Sequence, residues 1–332
     1  MNSFGSIFRI SIFGESHNEC VGIVLDGVPA GLSISEADFV TDVERRKGGV
    51  QKATTPRQED DLPIFKSGVF NSKTTGSPLT ILFENNNTRS SDYEKQREIP
   101  RPGHADFVAN KKFGGFEDYR GGGHFSGRLT LCLVAAGVVA KKLLNNIQII
   151  ARLLEVAGET DIEKGIQKAI DAKDSVGGIV ECKVTCLPIG LGEPFFDSVE
   201  SKISHIIFSI PAVKGIAFGN GFEAAKIFGS QNNDVIIDEN GTTKTNNAGG
   251  IVGGLTNGNE MVFQVAIKPT SSTPKTQESY NWHSHQMENF SIKGRHDLCI
   301  ALRVPVVVEA ATAIVLADLM MQEQRILRVI AT

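Results

Sequence analysis

Apolar and polar residues follow two kinds of pattern along this chain, and together they predict a mixed α/β protein. Residues 8–13 alternate between apolar and polar side chains, as a half-buried strand does, and residues 22–25 read as a second strand. Short apolar stretches bounded by turn residues predict the other strands. These lie at residues 79–84, 147–156, 179–187, 213–218 and 261–267.

Helices are predicted where capping residues precede apolar positions at helical spacing. Two overlapping capping boxes begin at Ser33 and Ser35, so a helix should run from near Ser35 to Arg46. A long apolar helix is predicted at residues 128–144. A further helix should begin where Asp197 and Glu200 form a cap, and the last predicted helix spans residues 305–329. Strands and helices do not alternate regularly, which excludes a β/α barrel.

A weak internal repeat divides the chain into two halves. Gly22 and Gly178 each begin a Gly-Ile-Val strand that leads, through a proline and a Gly-Leu pair, to a capped helix. Gly127 and Gly294 each begin a Gly-Arg-x-x-Leu-Cys segment before a long apolar helix. We therefore expect two structurally related halves around a pseudo-two-fold axis.

Composition is that of a globular protein, with 41% hydrophobic and 22% charged residues among 332. The net charge of −4 gives no basic field, so we expect no nucleic-acid partner. Five cysteines are too few and too scattered for a disulfide framework or a metal site, which favours a reducing cytoplasm. The longest apolar run, residues 131–140, is half of the ~20 residues that a membrane span needs, and no signal peptide is evident.

Candidate chemistry gathers near glycines. His17, His104 and His296 each have a carboxylate or an arginine close in sequence, and histidine exchanges protons near neutral pH. Taken singly, each histidine is more often a structural or surface residue. Arginines beside glycines suit a small substrate that carries phosphate and carboxylate groups, although any one of them could be solvated. They are Arg45, Arg46, Arg101, Arg120, Arg128 and Arg295.

Three glycine- or hydroxyl-rich loops are possible ligand sites. Residues 121–123 precede a helix and could bind a phosphate or a flavin, or simply form a tight turn. Residues 268–273 combine a lysine with hydroxyls, as a phosphate site or a solvated turn does. Residues 219–224 match the dinucleotide-binding pattern G-x-G-x-x-A, and Asp238 follows at a suitable distance. The helix that should follow this pattern is interrupted by the polar residues 231–233, so the pattern favours a turn.

Three classes of function remain open on the residues alone. The first is an enzyme that binds a phosphate or a flavin. The second is an NAD(P)-dependent oxidoreductase built on Gly219, Gly221 and Asp238. The third is a binding protein for a phosphorylated ligand that performs no catalysis.

Ten motifs, taken together and in order, resemble the chorismate synthase family. They extend from the start of the chain to near its end, so the resemblance covers almost the whole sequence. The motifs are FGESH (13–17), DGVPAG (26–31), RRK (45–47), RPGHAD (101–106), DYRGGG (118–123), SGR (126–128), GSQN (229–232), AGGI with GG (248–254), KPTSS (268–272) and GRHD (294–297).

The resemblance implies an anti-1,4-elimination of phosphate from 5-enolpyruvylshikimate 3-phosphate to give chorismate, the last common step of the shikimate pathway. Members of the family require reduced FMN although the reaction has no net redox change. The resemblance makes His17 a proton donor towards the flavin, His104 the acid that protonates the departing phosphate, and Asp297 an acid that assists the flavin. It assigns substrate binding to Arg46, Arg101, Arg128 and Arg295.

Flavin contacts are likewise carried over by motif, and Arg46 is also implied as a pyridine-nucleotide contact. Several positions depart from the family pattern, among them Asn18, Gly48, Pro211, His124 with Phe125, and Leu298. These departures leave His17, His104 and Asp297 intact. The implied cofactor-binding residues are Arg46, His124, Phe125, Ser126, Ala212, Gly253, Lys268, Pro269, Thr270, Ser271, Ser272 and Arg295.

The resemblance also implies the architecture and the assembly. We expect one α/β domain of the α+β type over residues 1–332, a single large β-α-β sandwich and not a Rossmann fold. We further expect a cytoplasmic homotetramer with no membrane partner. The chain lacks the long insertions of members that reduce their own flavin, so an external reductant is expected to supply FMNH2.

Overall fold

The structure is a computed structural model that describes residues 1–49, 52–55, 57, 59–88, 98–292 and 296–330. Its strands are β1 Ser3–Phe4, β2 Arg9–Gly14, β3 Cys20–Asp26, β4 Ile64–Ser67, β5 Val69–Phe70, β6 Lys73–Thr74, β7 Leu79–Glu84, β8 Gln148–Val156, β9 Gly178–Thr185, β10 Val213–Phe218, β11 Ile251–Val252, β12 Leu255–Thr256, β13 Met261–Ile267, β14 Gln277–Asn281 and β15 Gln286–Phe290. Its α-helices are α1 Val40–Arg46, α2 Asp106–Phe113, α3 Thr130–Leu144, α4 Ile162–Ala172, α5 Val199–Ile207, α6 Gly229–Asn232 and α7 Pro305–Gln322.

Two antiparallel sheets enclose a layer of helices, as the predicted β-α-β sandwich requires. The first sheet has the order β1-β2-β3-β7-β4 and the second has the order β10-β13-β9-β8. Helix α3 packs on β3 of the first sheet, and α7 packs on β8 and β9 of the second. Because the chain forms no doubly wound parallel sheet in its described part, the fold is not a Rossmann fold.

The two sheets share one topology, which supports the predicted repeat. Reading from one edge, β2-β3-β7-β4 in the first sheet corresponds to β8-β9-β13-β10 in the second, and every pairing is antiparallel. The corresponding strands β4 and β10 each carry one bulge against their neighbour. Each half therefore supplies an antiparallel sheet and one long apolar helix, α3 or α7.

The two central helices approach each other closely. A Cβ atom at Gly137 of α3 would lie 2.3 Å from the Cβ of Ala310 in α7, so only glycine fits there. The α7 segment is long and apolar enough to pass for a membrane span, but 83% of it is buried inside the fold. Its buried Asp318 accepts the backbone N–H groups of Ser6, Ile7 and Phe8 at 2.7–2.9 Å. These features are typical of a core helix.

Two predicted element ends differ from the structure. Helix α7 ends at Gln322, not at residue 329, and Val329 beyond it forms a parallel bridge with Ala30 in the first half. The α5 cap is Ser198, one residue later than predicted, and its side chain accepts the Ser201 N–H at 3.1 Å. The other predicted strands and helices are present, with ends shifted by a few residues at most.

Candidate active site

A cavity of about 710 Å³ opens between the two sheets and the N-terminal ends of α3 and α7. Its size is that of a small-molecule site. Residues from both halves line it, so neither half forms the site alone. The predicted site residues in its lining are Arg46, Arg101, His104, His124, Phe125, Ser126, Arg128, Ala212, Lys268, Thr270, Ser271, Ser272 and Asp297.

Three of the predicted site residues that the structure describes are not in that lining. His17 lies behind its neighbour Ser16 and Gly121, both of which face the cavity. Pro269 and Gly253 are also outside the lining, and Gly253 follows directly on β11 in the tight turn to β12. Arg295 falls outside the described residues, so its predicted role has no structural description here.

The glycine run at residues 121–123 separates the two predicted catalytic histidines. All three glycines have positive φ, between 52° and 82°, which other residues rarely adopt. A Cβ at Gly121 would lie 2.2 Å from the His17 ring, and one at Gly122 would lie 3.1 Å from the His104 ring. Gly121 and Gly122 therefore leave room for the two imidazoles, and Gly123 leaves room for the carbonyl oxygen of Asp118, which a Cβ there would approach to 2.0 Å.

His17 is almost fully buried, with 7% of its surface exposed. Its Nδ1 lies 3.2 Å from the Ser16 hydroxyl, which also accepts a hydrogen bond from Arg57 at 3.1 Å. Burial is the main cause that lowers the pKa of His17 to about 4, and the positive charge of Arg57 adds to it. The imidazole is therefore neutral at pH 7.

His104 belongs to a compact ionic group at the start of α2. Its Nδ1 lies 2.6 Å from Oδ1 of Asp106 and 2.9 Å from Nη2 of Arg101. Burial lowers the pKa of His104, and the hydrogen bond to Asp106 opposes that effect. The Arg101 guanidinium holds the pKa of Asp106 far below its usual range despite burial, so Asp106 stays ionised.

Asp61 joins two of the predicted substrate arginines. Its Oδ1 accepts a short hydrogen bond from Arg128, and its Oδ2 lies 3.5 Å from Nη1 of Arg46. All three side chains are buried, and Asp61 has a left-handed backbone with φ of 52°. Burial lowers the pKa of Arg46 to about 9. Asp61 thus compensates part of the positive charge that the arginines bring to the cavity.

Other hydrogen-bond donors of Arg46 bind protein atoms. Its Nε donates to Thr130 at 3.1 Å, and its Nη2 donates to the carbonyl oxygen of Gly127 at 3.1 Å. These contacts tie α1 to the start of α3, so Arg46 supports the cavity wall as well as lining it.

Asp297 is fixed at the opposite wall. Its carboxylate accepts hydrogen bonds from Arg303 at 2.9 and 3.1 Å and from the Thr55 backbone N–H at 2.9 Å. Arg303 also donates to the carbonyl oxygen of Arg46 at 2.8 Å. Through this arginine, Asp297 and the Arg46 segment are held in one geometry.

Side chains at residues 268–272 are tied to the His104 motif. Lys268 Nζ donates to the Ser271 hydroxyl at 2.8 Å, and that hydroxyl donates to the carbonyl oxygen of Gly103 at 2.7 Å. Arg101 donates to the Ser272 hydroxyl at 3.1 Å. Burial lowers the pKa of Lys268, with Lys214 as a second cause. This wall presents a cation and several hydroxyls to an anionic ligand.

Sequence reasoning missed the residues that orient the predicted ones: Arg57, Glu59, Asp61 and Arg303. The polar composition of residues 51–61 predicts a surface loop, and the structure contradicts that prediction at Thr55 and Asp61, which are buried at the cavity. The concentration of charge at residues 57–61 was the available signal.

The G-x-G-x-x-A pattern is a turn, as its flanking sequence indicated. A Cβ at Gly219 would lie 2.1 Å from the carbonyl oxygen of Asn247, so a close backbone approach explains this glycine. Asp238 accepts the backbone N–H groups of Asn240 and Thr242 at 2.9 and 3.0 Å within a turn. The oxidoreductase alternative is therefore not favoured.

Comparisons with known proteins identify the family of this chain. The family model of chorismate synthase matches residues 8–321. A chorismate synthase of Chitinophaga pinensis is 67% identical over 330 residues, 99% of each chain. Those of Dehalococcoides mccartyi and Methanocaldococcus jannaschii are 45% and 40% identical, with at least 97% of each chain covered.

A crystal structure of a chorismate synthase has the same fold. It superposes with a TM-score of 0.74 at 25% sequence identity and covers 96% of this chain and 93% of its own. This chain therefore belongs to the chorismate synthase family, and it is a lyase of the shikimate pathway of aromatic biosynthesis.

Proposed function

We propose that this enzyme eliminates phosphate from 5-enolpyruvylshikimate 3-phosphate in a 1,4-anti sense, gives chorismate, and depends on reduced FMN. The observation that carries the proposal is the position of His17 and His104 on either side of one glycine run, with Arg101 and Arg128 at the same cavity. Two histidines and an arginine set suit loss of a phosphate together with movement of a proton.

The residues present fit a flavin mononucleotide beside the substrate. Lys268, Thr270 and Ser271 offer a cation and hydroxyls for the flavin phosphate, and Phe125 offers an aromatic face. His124 donates from Nδ1 to the carbonyl oxygen of Gly14 at 2.8 Å, which leaves its Nε2 as an acceptor. When bound, reduced FMN would supply electron density that eases the departure of phosphate, with no net redox change.

We propose that the arginines bind the departing phosphate and that His104 protonates it. Arg101 and Arg128 bind the anionic groups of the substrate, and both are buried at the cavity, in a low-dielectric setting where charge acts strongly. His104, held by Asp106, gives its proton to the phosphate oxygen as the C–O bond breaks. This proton transfer makes phosphate a better leaving group.

We assign proton handling elsewhere in the site to His17 and Asp297. His17 is neutral at pH 7 and contacts Ser16 behind the cavity wall, so it holds a proton next to the site without adding charge. Asp297, held by Arg303 and Thr55, supplies a carboxylate that would assist bound reduced FMN, which would take up the substrate proton.

We further propose a single domain that assembles as a cytoplasmic homotetramer and uses flavin reduced by an external donor. The helix layer shared by the two sheets supports one domain. Large apolar side chains on the surface support assembly, among them Phe195, Phe196 and Phe222, which are 83–91% exposed.

Genetic complementation tests the proposed reaction. Cells that lack this step need aromatic amino acids, and expression of this chain should restore growth without them. A His104→Ala variant should not restore growth, whereas a Lys226→Ala variant, altered at an exposed position on another surface, should. If wild-type protein accumulates folded and growth still fails, the proposed reaction is wrong.

A further inference from the structure

Two lysines from neighbouring strands line the main cavity. Lys214 belongs to β10, and Lys268 follows directly on the end of β13. The backbone N–H of Lys268 donates to the carbonyl oxygen of Ala212 at 2.9 Å, two residues before Lys214. Ala212 itself has a left-handed backbone, with φ of 76°. The reaction proposed above uses Lys268 but gives Lys214 no part.

Lys214 occupies the extra position of a β-bulge. Val213 pairs with Ile267 and Gly215 pairs with Ala266, so β10 contains one more residue at this point than β13. The extra residue of a bulge has no partner in the ladder, and bulges next to active sites redirect side chains. The Lys214 side chain accordingly forms part of the cavity wall.

Lys214 and Lys268 bring two positive charges close together. Burial lowers the pKa of Lys268, and the like charge of Lys214 lowers it further. Lys268 Nζ donates to the Ser271 hydroxyl at 2.8 Å and to the carbonyl oxygen of Gly103 at 3.2 Å, and both acceptors are uncharged. The two lysines therefore repel each other until a negative charge binds beside them.

The carboxylates of the cavity do not supply that negative charge. Among the described residues that line the cavity, each aspartate or glutamate already forms an ion pair with an arginine, which leaves none of them for the lysines. The pairs are Glu59 with Arg57, Asp61 with Arg128, and Asp297 with Arg303.

The hydroxyl of Thr270 indicates a ligand at the same place. Thr270 lines the cavity two residues after Lys268, and its Oγ1 is buried with no hydrogen-bond partner among the residues that the structure describes. Buried hydroxyl groups nearly always have a partner. Since a hydroxyl can donate, an anionic oxygen bound by the lysines would be the acceptor that Thr270 lacks.

We propose that Lys214 is a flavin-binding residue that, together with Lys268, holds the phosphate group of FMN. A phosphate monoester carries a charge of about −2 at pH 7, which two lysines balance. The substrate phosphate is proposed to bind at the arginines and His104, so the lysine pair is left for the phosphate of the cofactor. Lys214 then makes the site prefer FMN over riboflavin, which lacks the phosphate. The inference rests on the proposed dependence on FMN.

Calorimetric titration with FMN and with riboflavin tests the proposal without any turnover. The wild type should bind FMN at least about 10-fold more tightly than riboflavin. Lys214→Met keeps the length of the side chain without its charge, and it should weaken FMN binding by about 10-fold, as expected for one lost hydrogen bond to a charged group. Its affinity for riboflavin should not change. Lys214→Arg keeps the charge and should bind FMN within threefold of the wild type.

Lys66→Met is the matched control. Lys66 is the extra residue of the bulge in the first sheet, where Phe65 pairs with Ile81 and Ser67 pairs with Thr80. Like Lys214 it is exposed, but it lies outside the cavity lining. The control variant should therefore bind both flavins as the wild type does.

Three results would overturn the inference. The first is a loss of FMN affinity in Lys214→Met within threefold of that in Lys66→Met, and the second is an equal loss for FMN and riboflavin. The third is a raised KM for substrate with unchanged FMN affinity, which would assign Lys214 to the substrate. If wild-type protein binds FMN but makes no chorismate, the proposed reaction fails, whereas the titrations still decide the role of Lys214.

Discussion

Gly121 lies directly against the imidazole of His17, since a Cβ at Gly121 would come within 2.2 Å of ring atoms Nδ1 and Cε1. Gly121→Ala should therefore displace His17 or the glycine run. We expect kcat to fall by about 10²-fold or more, as for loss of an acid–base group. Steady-state kinetics with reduced FMN measure the effect.

The control for this variant is Gly158→Ala. Gly158 has φ of 79° but no atom within 4 Å of its Cβ position, so alanine there meets backbone strain without a clash. Both variants should lose some stability, about 1–2 kcal/mol for a left-handed alanine. Equal kcat values for the two would show that the contact between Gly121 and His17 does not matter for catalysis.

Removal of either histidine should abolish most turnover while the fold persists. His17→Ala and His104→Ala should each lose about 10²–10⁴-fold in kcat, the usual contribution of a general acid or base. Circular dichroism and thermal unfolding establish that each variant is folded. Wild-type rates in both folded variants would refute the assigned roles and favour a binding protein.

Breaking the buried pair of Asp61 should cost both stability and substrate binding. Asp61→Asn keeps a residue that tolerates the left-handed backbone but leaves Arg128 and Arg46 without their counter-charge. The free energy of unfolding should fall by about 3 kcal/mol. Urea denaturation measures this change, and the KM for substrate should rise as Arg128 loses its fixed orientation.

Asp26→Asn provides the comparison for Asp61. Asp26 pairs with Arg9 at 2.7 Å on the surface, where both side chains are about half exposed. Such a pair contributes less than about 1 kcal/mol. An Asp61→Asn loss no larger than the Asp26→Asn loss would mean that the buried pair adds nothing to stability.

The buried His17 should make stability depend on pH. Its pKa is about 4 in the folded state and near 6.5 in the unfolded chain. On acidification through this window the unfolded state binds the proton first, so the free energy of unfolding falls. His17→Asn lacks this dependence. The stability of the wild type relative to His17→Asn should thus be flat above pH 7 and decline from pH 6.5 to 4.

Urea denaturation of both proteins at several pH values measures that difference. A difference that stays constant from pH 7.5 to pH 4 would show that His17 titrates normally in the folded protein.

Several sheet elements could be predicted closely because short apolar stretches between turn residues are explicit in the sequence, whereas β4, β14 and β15 were not predicted. The predictions for β7 at residues 79–84 and β13 at residues 261–267 match the structure at both ends. The repeat based on Gly22 and Gly178 also led to the right architecture, since both glycines lie on corresponding strands, β3 and β9.

The supporting residues of the site could not be predicted in the same way. Thr55 meets Asp297 across 242 positions, and Asp61 meets Arg128 across 67. The local sequence shows only that such a segment is polar, and polar loops usually lie at the surface of a protein. The buried location of Thr55 and Asp61 follows from long-range hydrogen bonds that the sequence does not display.

The most direct measurement is an anaerobic assay with purified protein, 5-enolpyruvylshikimate 3-phosphate and chemically reduced FMN. Chorismate absorbance and phosphate release are followed together, with oxidised FMN plus NADPH as a second condition. With reduced FMN we expect equimolar chorismate and phosphate, and the flavin should be required but not consumed. With oxidised FMN and NADPH we expect no product. Folded protein that binds reduced FMN and releases neither product would contradict it.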